Sequence, residues 1–209
     1  SLDTLKRDVF ERLARRDMLD QVLAGLDAAQ AAGLHVKLNT VALKGVNEAE
    51  IPDLIRFAHA RGADITLIET MPMGEAETNR VEDYLSLTEL RAGLERAFTL
   101  TDLAISTGGP ARYVRVEETG GRLGFITPLS HNFCESCNRV RVTCTGRLYT
   151  CLGREDGADL RAALRDDPSG RALRAAIRAA VAAKPKGHDF DAARLSAPAS
   201  PRMMSTTGG

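Results

Sequence analysis

What this chain of 209 residues lacks narrows it first. It has no net charge, with 28 Lys and Arg against 28 Asp and Glu, so no global basic field argues for nucleic acid. It has no long apolar run, so nothing in it reads as membrane-spanning. No secretory signal opens it, and no internal repeat is visible. It has no cysteine outside residues 134–151. Four thiols confined to one block fit a metal site better than a disulfide framework. The expected class is a soluble cytoplasmic protein in a reducing compartment, with neither nucleic acid nor membrane as a partner. The hydrophobic fraction of 44% is ordinary for a globular protein, and the length allows one large domain or two small ones.

What is present changes character near residue 100. Before it, helix and strand alternate. "TLKRDVFERLARRD" and "MLDQVLAGLDAAQAAG" carry apolar residues at helical spacing. "HVKLNTVAL" (35–43) and "DITLIETM" (64–71) read as strands, with "EAEIPDLIRFAHARG" (48–62) a helix between them. "SLTELRAGLERAF" (86–98) reads as a helix opened by a capping box of Ser86 and Glu89. Short joints between such elements imply parallel strands and an α/β class, with too few strands for a complete barrel. After residue 100, "ARYVRVEE", "RLGFIT", "RVRVTC" and "RLYTCL" predict short strands with glycine turns. Two Arg- and Ala-rich helices follow, "DLRAALRDD" and "SGRALRAAIRAAVAAK", and then a small, polar, Pro-containing tail. The opening "SLDTL", without an initiator Met, reads as the end of a strand running into a helix, so the chain is expected to be a piece of something longer.

The block "FCESCNRVRVTCTGRLYTCL" (133–152) carries the chemistry. Cys134 and Cys137 form a Cys-x-x-Cys knuckle. Cys144 opens "CTG" between two strands. A two-residue Thr-Gly turn would force β-branched Thr145 to positive φ, whereas a three-residue loop puts only Gly146 there. That loop pairs Thr143 with Arg147, Arg141 with Tyr149 and Arg139 with Cys151. By strand alternation Arg139, Arg141, Tyr149 and Cys151 then share one face, and Cys144 sits in the turn. The ligand set favoured by this register is Cys134, Cys137 and Cys151. Three thiolates suit a 4Fe–4S cluster with one iron open; four would suit a closed structural zinc site. Spacing alone leaves both. Arg139 and Arg141 on the thiol face suit an anionic ligand gripped by guanidinium forks; the blander reading is a solvated strand with alternating arginines.

These residues resemble a known family. "GPARYVRV" and "GFITPLSHNFCESCNRVRVTCTGRLYTCL" resemble the C-terminal half of the GTP 3′,8-cyclases of molybdenum cofactor biosynthesis, which are radical S-adenosylmethionine enzymes. The match starts at "SLDTL", passes through "VKLNTVALKGVN" and "ETMPMG", and ends at the terminal "GG". The resemblance implies a lyase that converts GTP to (8S)-3′,8-cyclo-7,8-dihydroguanosine 5′-triphosphate, by taking hydrogen from C3′ and joining that carbon to C8 of guanine. It implies an auxiliary 4Fe–4S cluster on Cys134, Cys137 and Cys151, with an iron free for the guanine. It places Lys37, Arg139, Val140, Arg141, Gly208 and Gly209 at GTP, and Ser1 and Met71 at S-adenosylmethionine. Without it, Lys37 reads as a solvated strand residue and Met71 as a core filler. His131 and His188 have no ligand spacing and read as ordinary histidines.

The implied fold is the second half of a partial (β/α) radical barrel, followed by a C-terminal α+β iron–sulfur domain. The boundaries are 1–100, 101–190 and a tail at 191–209, whose "RMMSTTGG" has Thr207 where the family has Ile. The implied partners are GTP, S-adenosylmethionine, a second copy of the chain, and cyclic pyranopterin monophosphate synthase as the next enzyme. The family's Cys-x-x-x-Cys-x-x-Cys motif does not occur here. The second cluster, which cleaves S-adenosylmethionine, is therefore expected in a separate N-terminal half, and the chain alone is expected to be inactive. Two other readings stand beside this one. One is a zinc-stabilised module with an Arg-rich face for RNA or nucleotide. The other is a peptide-modifying radical enzyme, against which the Asn-Arg-x-Arg block and the Gly-Gly terminus speak.

Overall fold

The structure, a computed structural model, describes residues 1–73, 82–131, 133–188, 202 and 206. They fall into two compact units, Ser1–Thr70 with Glu82–Asn132, and Met71–Val81 with Phe133–Gly209.

The first unit is built on a five-stranded mixed sheet in the order β1-β2-β5-β4-β3. Its helices are α1 (Arg7–Ala14), α2 (Leu19–Ala31), α3 (Ile51–Ala60) and α4 (Leu87–Leu94). Its strands are β1 (Lys37–Ala42), β2 (Asp64–Glu69), β3 (Leu100–Leu103), β4 (Arg112–Val116) and β5 (Arg122–Ile126). β1, β2 and β5 run parallel, while β5, β4 and β3 are antiparallel. The α/β class read from the sequence is thus found, in mixed form.

The packing follows the sequence pattern. In α3, Ile51, Leu54, Ile55 and Ala58 recur at one helical face and are fully buried. They meet the sheet residues Ile65, Leu67 and Leu123 in one core cluster. Ahead of α1, the Leu2 amide donates to the Asn39 carbonyl at 3.0 Å, and the Val41 amide to the Asp3 carboxylate at 2.8 Å. The segment "SLDT" is thereby tied to β1, although it forms no strand of the sheet, where the sequence reads as a strand end.

Two differences from the sequence reading have physical causes. First, the expected capping box on α4 does not form: Ser86 makes no side-chain cap. The Leu87 amide donates instead to Glu69 Oε1 at 3.0 Å, and Glu69 Oε2 accepts from the Leu129 and Ser130 amides at 2.9 and 3.0 Å. A buried carboxylate at the end of β2 thus supplies the cap. Second, residues 101–132, read from the sequence as the start of a second domain, pack with the first unit. β5 joins β2 in register from Ile65↔Leu123 to Ile68↔Ile126. The change of character near residue 100 marks a switch from parallel to antiparallel pairing within one sheet.

The second unit contains a three-stranded antiparallel sheet: β6 (Arg141–Val142), β7 (Arg147–Tyr149) and β8 (Gly157–Asp159). Two helices follow, α5 (Leu160–Asp166) and α6 (Arg171–Ala182). Asp159 caps α5, accepting from the Ala162 amide at 2.9 Å. Among the described residues no helix is long and apolar enough to cross a membrane. The tail at 191–209, including Gly208, Gly209 and Thr207, lies outside the described residues except for Arg202 and Thr206.

Candidate functional site

The four cysteines lie in the second unit. A short 3₁₀ turn, Cys134–Ser136, is closed by the Cys137 amide on the Cys134 carbonyl at 3.1 Å. This knuckle brings two thiols onto one turn. The chain then extends through Arg139 into β6 and returns along β7.

The hairpin register is the one that the glycine demands. Gly146 sits at φ +81°, its amide donates to the Thr143 carbonyl at 2.9 Å, and the Thr143 amide donates to Arg147 at 2.9 Å. Arg141 faces Tyr149, and Val142 faces Leu148. Cys144 is exposed in the turn, whereas Cys134, Cys137 and Cys151 are half-buried. The ladder ends before Arg139 and Cys151 would meet as ladder partners.

Burial along this strand runs against composition. Val140 and Val142 are 44% and 54% exposed, while Arg139 and Arg141 between and beside them are half-buried. A solvated strand would bury its valines and expose its arginines. By register Arg141 shares a face with Tyr149, and Val142 shares the other with Leu148, which is 2% exposed, so both faces of β7 are covered and Val142 is open because β6 is an edge strand.

The Cys151 thiol feels its surroundings. Burial raises the pKa of Cys151; the Gly153 amide hydrogen bond and the Lys184 charge oppose this, and Cys134 and Cys137 add to it. An amide aimed at a thiol suits a metal-bound thiolate, which accepts hydrogen bonds better than the neutral group does. Among the described residues, no three His, Cys, Asp or Glu side chains are gathered as a formed metal site. The donor set still fits an iron–sulfur cluster in chemistry: soft ligands, partly shielded from water, with a hydrogen bond to sulfur.

Tyr149 anchors the returning chain. The Arg202 guanidinium stacks on its ring at 3.8 Å, and Arg202 Nε pairs with Glu155 at 3.0 Å. Arg202 Nη2 also donates to the Leu152 carbonyl at 3.2 Å and to the Arg154 carbonyl. Arg202 is thereby fastened to the loop that follows Cys151.

In the first unit, Lys37 is exposed at the start of β1, and its Nζ meets the Tyr113 hydroxyl at 3.3 Å. Gly124 makes this reach possible. A Cβ there would lie 2.8 Å from Thr66 Oγ1 and 2.9 Å from Tyr113 Cε1, so only glycine lets the ring cross β5. Burial pushes the Tyr113 phenol up, but hydrogen bonds from Thr107 and Lys37, the Lys37 charge and Thr66 outweigh it and bring it below the ordinary value. Ser1 is exposed beside the buried Leu2, and Met71 is half-buried just past β2, in the second unit. His131 is exposed; its carbonyl accepts from Thr127 at 2.9 Å.

Sequence reasoning missed Glu69, Tyr113, Lys184 and Arg202. Glu69 had a signal, an acid at the inward-facing end of an apolar strand. Lys184 and Arg202 had none, since basic residues after a helix or in a tail are ordinary.

The matches to known proteins agree on one group. A family described as Molybdenum Cofactor Synthesis C matches residues 63–190. The chain is 64% identical over 210 aligned positions to a protein of Rhizobium etli, covering all of the chain and 60% of that protein. It is 62% identical to a protein of Mesorhizobium japonicum, covering 63% of it, and 60% identical to one of Brucella suis, covering 61% of it. Each of these relatives carries the name GTP 3′,8-cyclase. The chain thus spans about three-fifths of the length of the curated relatives that it matches.

Proposed function

This chain belongs to the Molybdenum Cofactor Synthesis C family, and from that premise we propose that it supplies the cluster-bearing, substrate-binding part of a GTP 3′,8-cyclase. Its place in molybdenum cofactor biosynthesis follows from its relatives; the division of labour among its residues is our reading. The observation that carries it is the setting of this strand: Arg139 and Arg141 are half-buried near three half-buried thiols in sequence, while Val140 and Val142 are exposed.

Cys134, Cys137 and Cys151 would hold a 4Fe–4S cluster, and Cys144 would not. When bound, the cluster supplies an iron with an open position for the guanine base. Arg139 and Arg141 grip the anionic phosphates of GTP, and Val140 lies against the nucleotide between them. Cationic forks suit this task because two parallel N–H bonds fix orientation as well as charge. By the family resemblance, Lys37 also contacts GTP, Ser1 and Met71 contact S-adenosylmethionine, and Gly208 and Gly209 approach the substrate closely. The work of these residues is orientation, which lowers the entropy barrier to joining C3′ and C8 within one molecule. The radical that starts the reaction would come from S-adenosylmethionine bound at a second cluster; with three thiols assigned, this chain has only Cys144 left, too few to hold one. The first unit is read as part of a partial (β/α) barrel and the second as the iron–sulfur domain.

Metal analysis tests the proposal. Anaerobic reconstitution should give iron and acid-labile sulfide in near-equal amounts, with broad visible absorption. Stoichiometric zinc without sulfide would replace this reading with a zinc-stabilised nucleotide-binding module.

A further inference from the structure

The hairpin ladder stops at Arg141 and Tyr149, yet Arg139 and Cys151 lie beyond its end. Backbone carbonyls released from a ladder need other donors. Here one side chain provides them. Lys184 Nζ donates to the Arg139 carbonyl at 2.8 Å and also to the Thr150 carbonyl. One acceptor is two residues from Cys137, and the other adjoins Cys151. Lys184 is half-buried, and its own amide is tied to the Val181 carbonyl at the end of α6 at 3.1 Å. A lysine after a helix is usually explained by the helix dipole. That explanation requires neither burial nor two acceptors on the two chain segments that flank the ladder. An ammonium has three donors on a flexible stem, so it can bridge a gap that a backbone ladder does not close.

We propose that Lys184 is a positioning residue: it clamps the strand leaving the Cys134–Cys137 knuckle to the strand entering Cys151, and so sets Arg139 and Cys151 side by side. Its consequence for a cluster rests on the function proposed above; the clamp itself needs no metal. The fixed end of α6 makes the clamp rigid. The strand pair around Arg139 and Cys151 is thereby held by the helix rather than by its own ladder.

The test uses Lys184→Met, which keeps the stem and removes the donors, and Lys184→Arg, which restores them. In the metal-free chain, hydrogen–deuterium exchange is read on the peptide covering 137–152. Loss of the charge-assisted bonds should speed its exchange about tenfold or more, Lys184→Arg should return it toward wild type, and β1 and β2 should be unchanged. In the reconstituted chain, iron should pass to a chelator about tenfold faster from Lys184→Met than from wild type, with rescue by Lys184→Arg. A role confined to capping α6 would loosen the helix and leave 137–152 as protected as before, and that result overturns the clamp. Faster exchange in Lys184→Met, together with a wild-type chain that takes up no iron or sulfide, would reject the cluster and support the clamp. Should Lys184→Met fail to fold, Lys184→Gln, which keeps a weaker donor, makes the same comparison.

Discussion

Glu69→Gln should be the most destabilising single-atom exchange in the first unit. The Glu69 side chain is buried, with the residue 1% exposed, and its two oxygens take the amides of Leu87, Leu129 and Ser130 at 2.9–3.0 Å. Glutamine keeps one acceptor oxygen. It can satisfy Leu129 and Ser130, but it then turns an NH₂ toward the Leu87 amide, donor against donor. One charge-assisted bond, worth about 1.5–3 kcal/mol, is lost, and two more fall to neutral strength. The sum is about 3 kcal/mol, or a drop in melting temperature of about 6–12 °C for a chain of this size. Ser86→Ala is the control. A working N-cap would cost about 1 kcal/mol to remove; this serine caps nothing and its side chain bonds that of Tyr84 instead, so in a Tyr84→Phe background its removal should change stability by less than about 0.5 kcal/mol. Urea or thermal unfolding followed by circular dichroism measures both. Equal, small effects would refute the carboxylate cap, and a Ser86→Ala loss near 1 kcal/mol in that background would restore the capping box.

Cys144→Ala should keep its iron and visible absorption after reconstitution, whereas Cys151→Ala should lose most of both; equal loss would revive a four-thiolate site. Arg139→Ala or Arg141→Ala, in an enzyme completed with its radical-generating half, should weaken GTP binding about tenfold or more, with lysine rescuing only in part. Unchanged affinity would make the two arginines structural. His59 should make stability depend on pH: burial lowers its pKa below the usual value of about 6.5, so the unfolded chain takes up the proton first as pH falls. Stability should therefore rise with pH through the window below about 6.5, and His59→Gln should flatten that slope in urea titrations. Tyr113→Phe should leave the fold intact and lower GTP affinity only if the Lys37 ammonium is held for substrate by that hydroxyl, which isothermal titration would show.

The helices and parallel strands of the first unit were legible because their signals are local. The spacing of Ile51, Leu54, Ile55 and Ala58 declares a buried face before any partner is known. The pairing of β5 with β2 was not legible, because hairpin residues carry no mark of which sheet they will join. β8, "GAD", has no apolar pattern at all; its pairing with β7 from Arg147↔Asp159 to Tyr149↔Gly157 is a tertiary event. The capping box failed for a related reason. Ser86 and Glu89 had the right spacing, but a buried carboxylate from another strand reached the Leu87 amide first, and a buried acid cannot remain without donors.

The cysteine block shows where sequence logic carries furthest. Gly146 fixed the turn, the turn fixed the register, and the register divided the residues between two faces, all from the sterics of one backbone position. What that logic could not supply was which face is covered. A strand reading Arg-Val-Arg-Val is symmetric on paper, and hydrophobicity alone votes for valine inward. The fold splits that face: Leu148 on the central strand is 2% exposed, while Val142 opposite it on the edge strand is 54% exposed. On the other face Arg202 stacks on the Tyr149 ring. Holding guanidinium groups on a covered face is unfavourable unless an anion or a set of acceptors meets them. The half-buried arginines are the groups that the proposed anionic ligand would meet, whereas the exposed valines need only the register that the glycine imposes and an edge position.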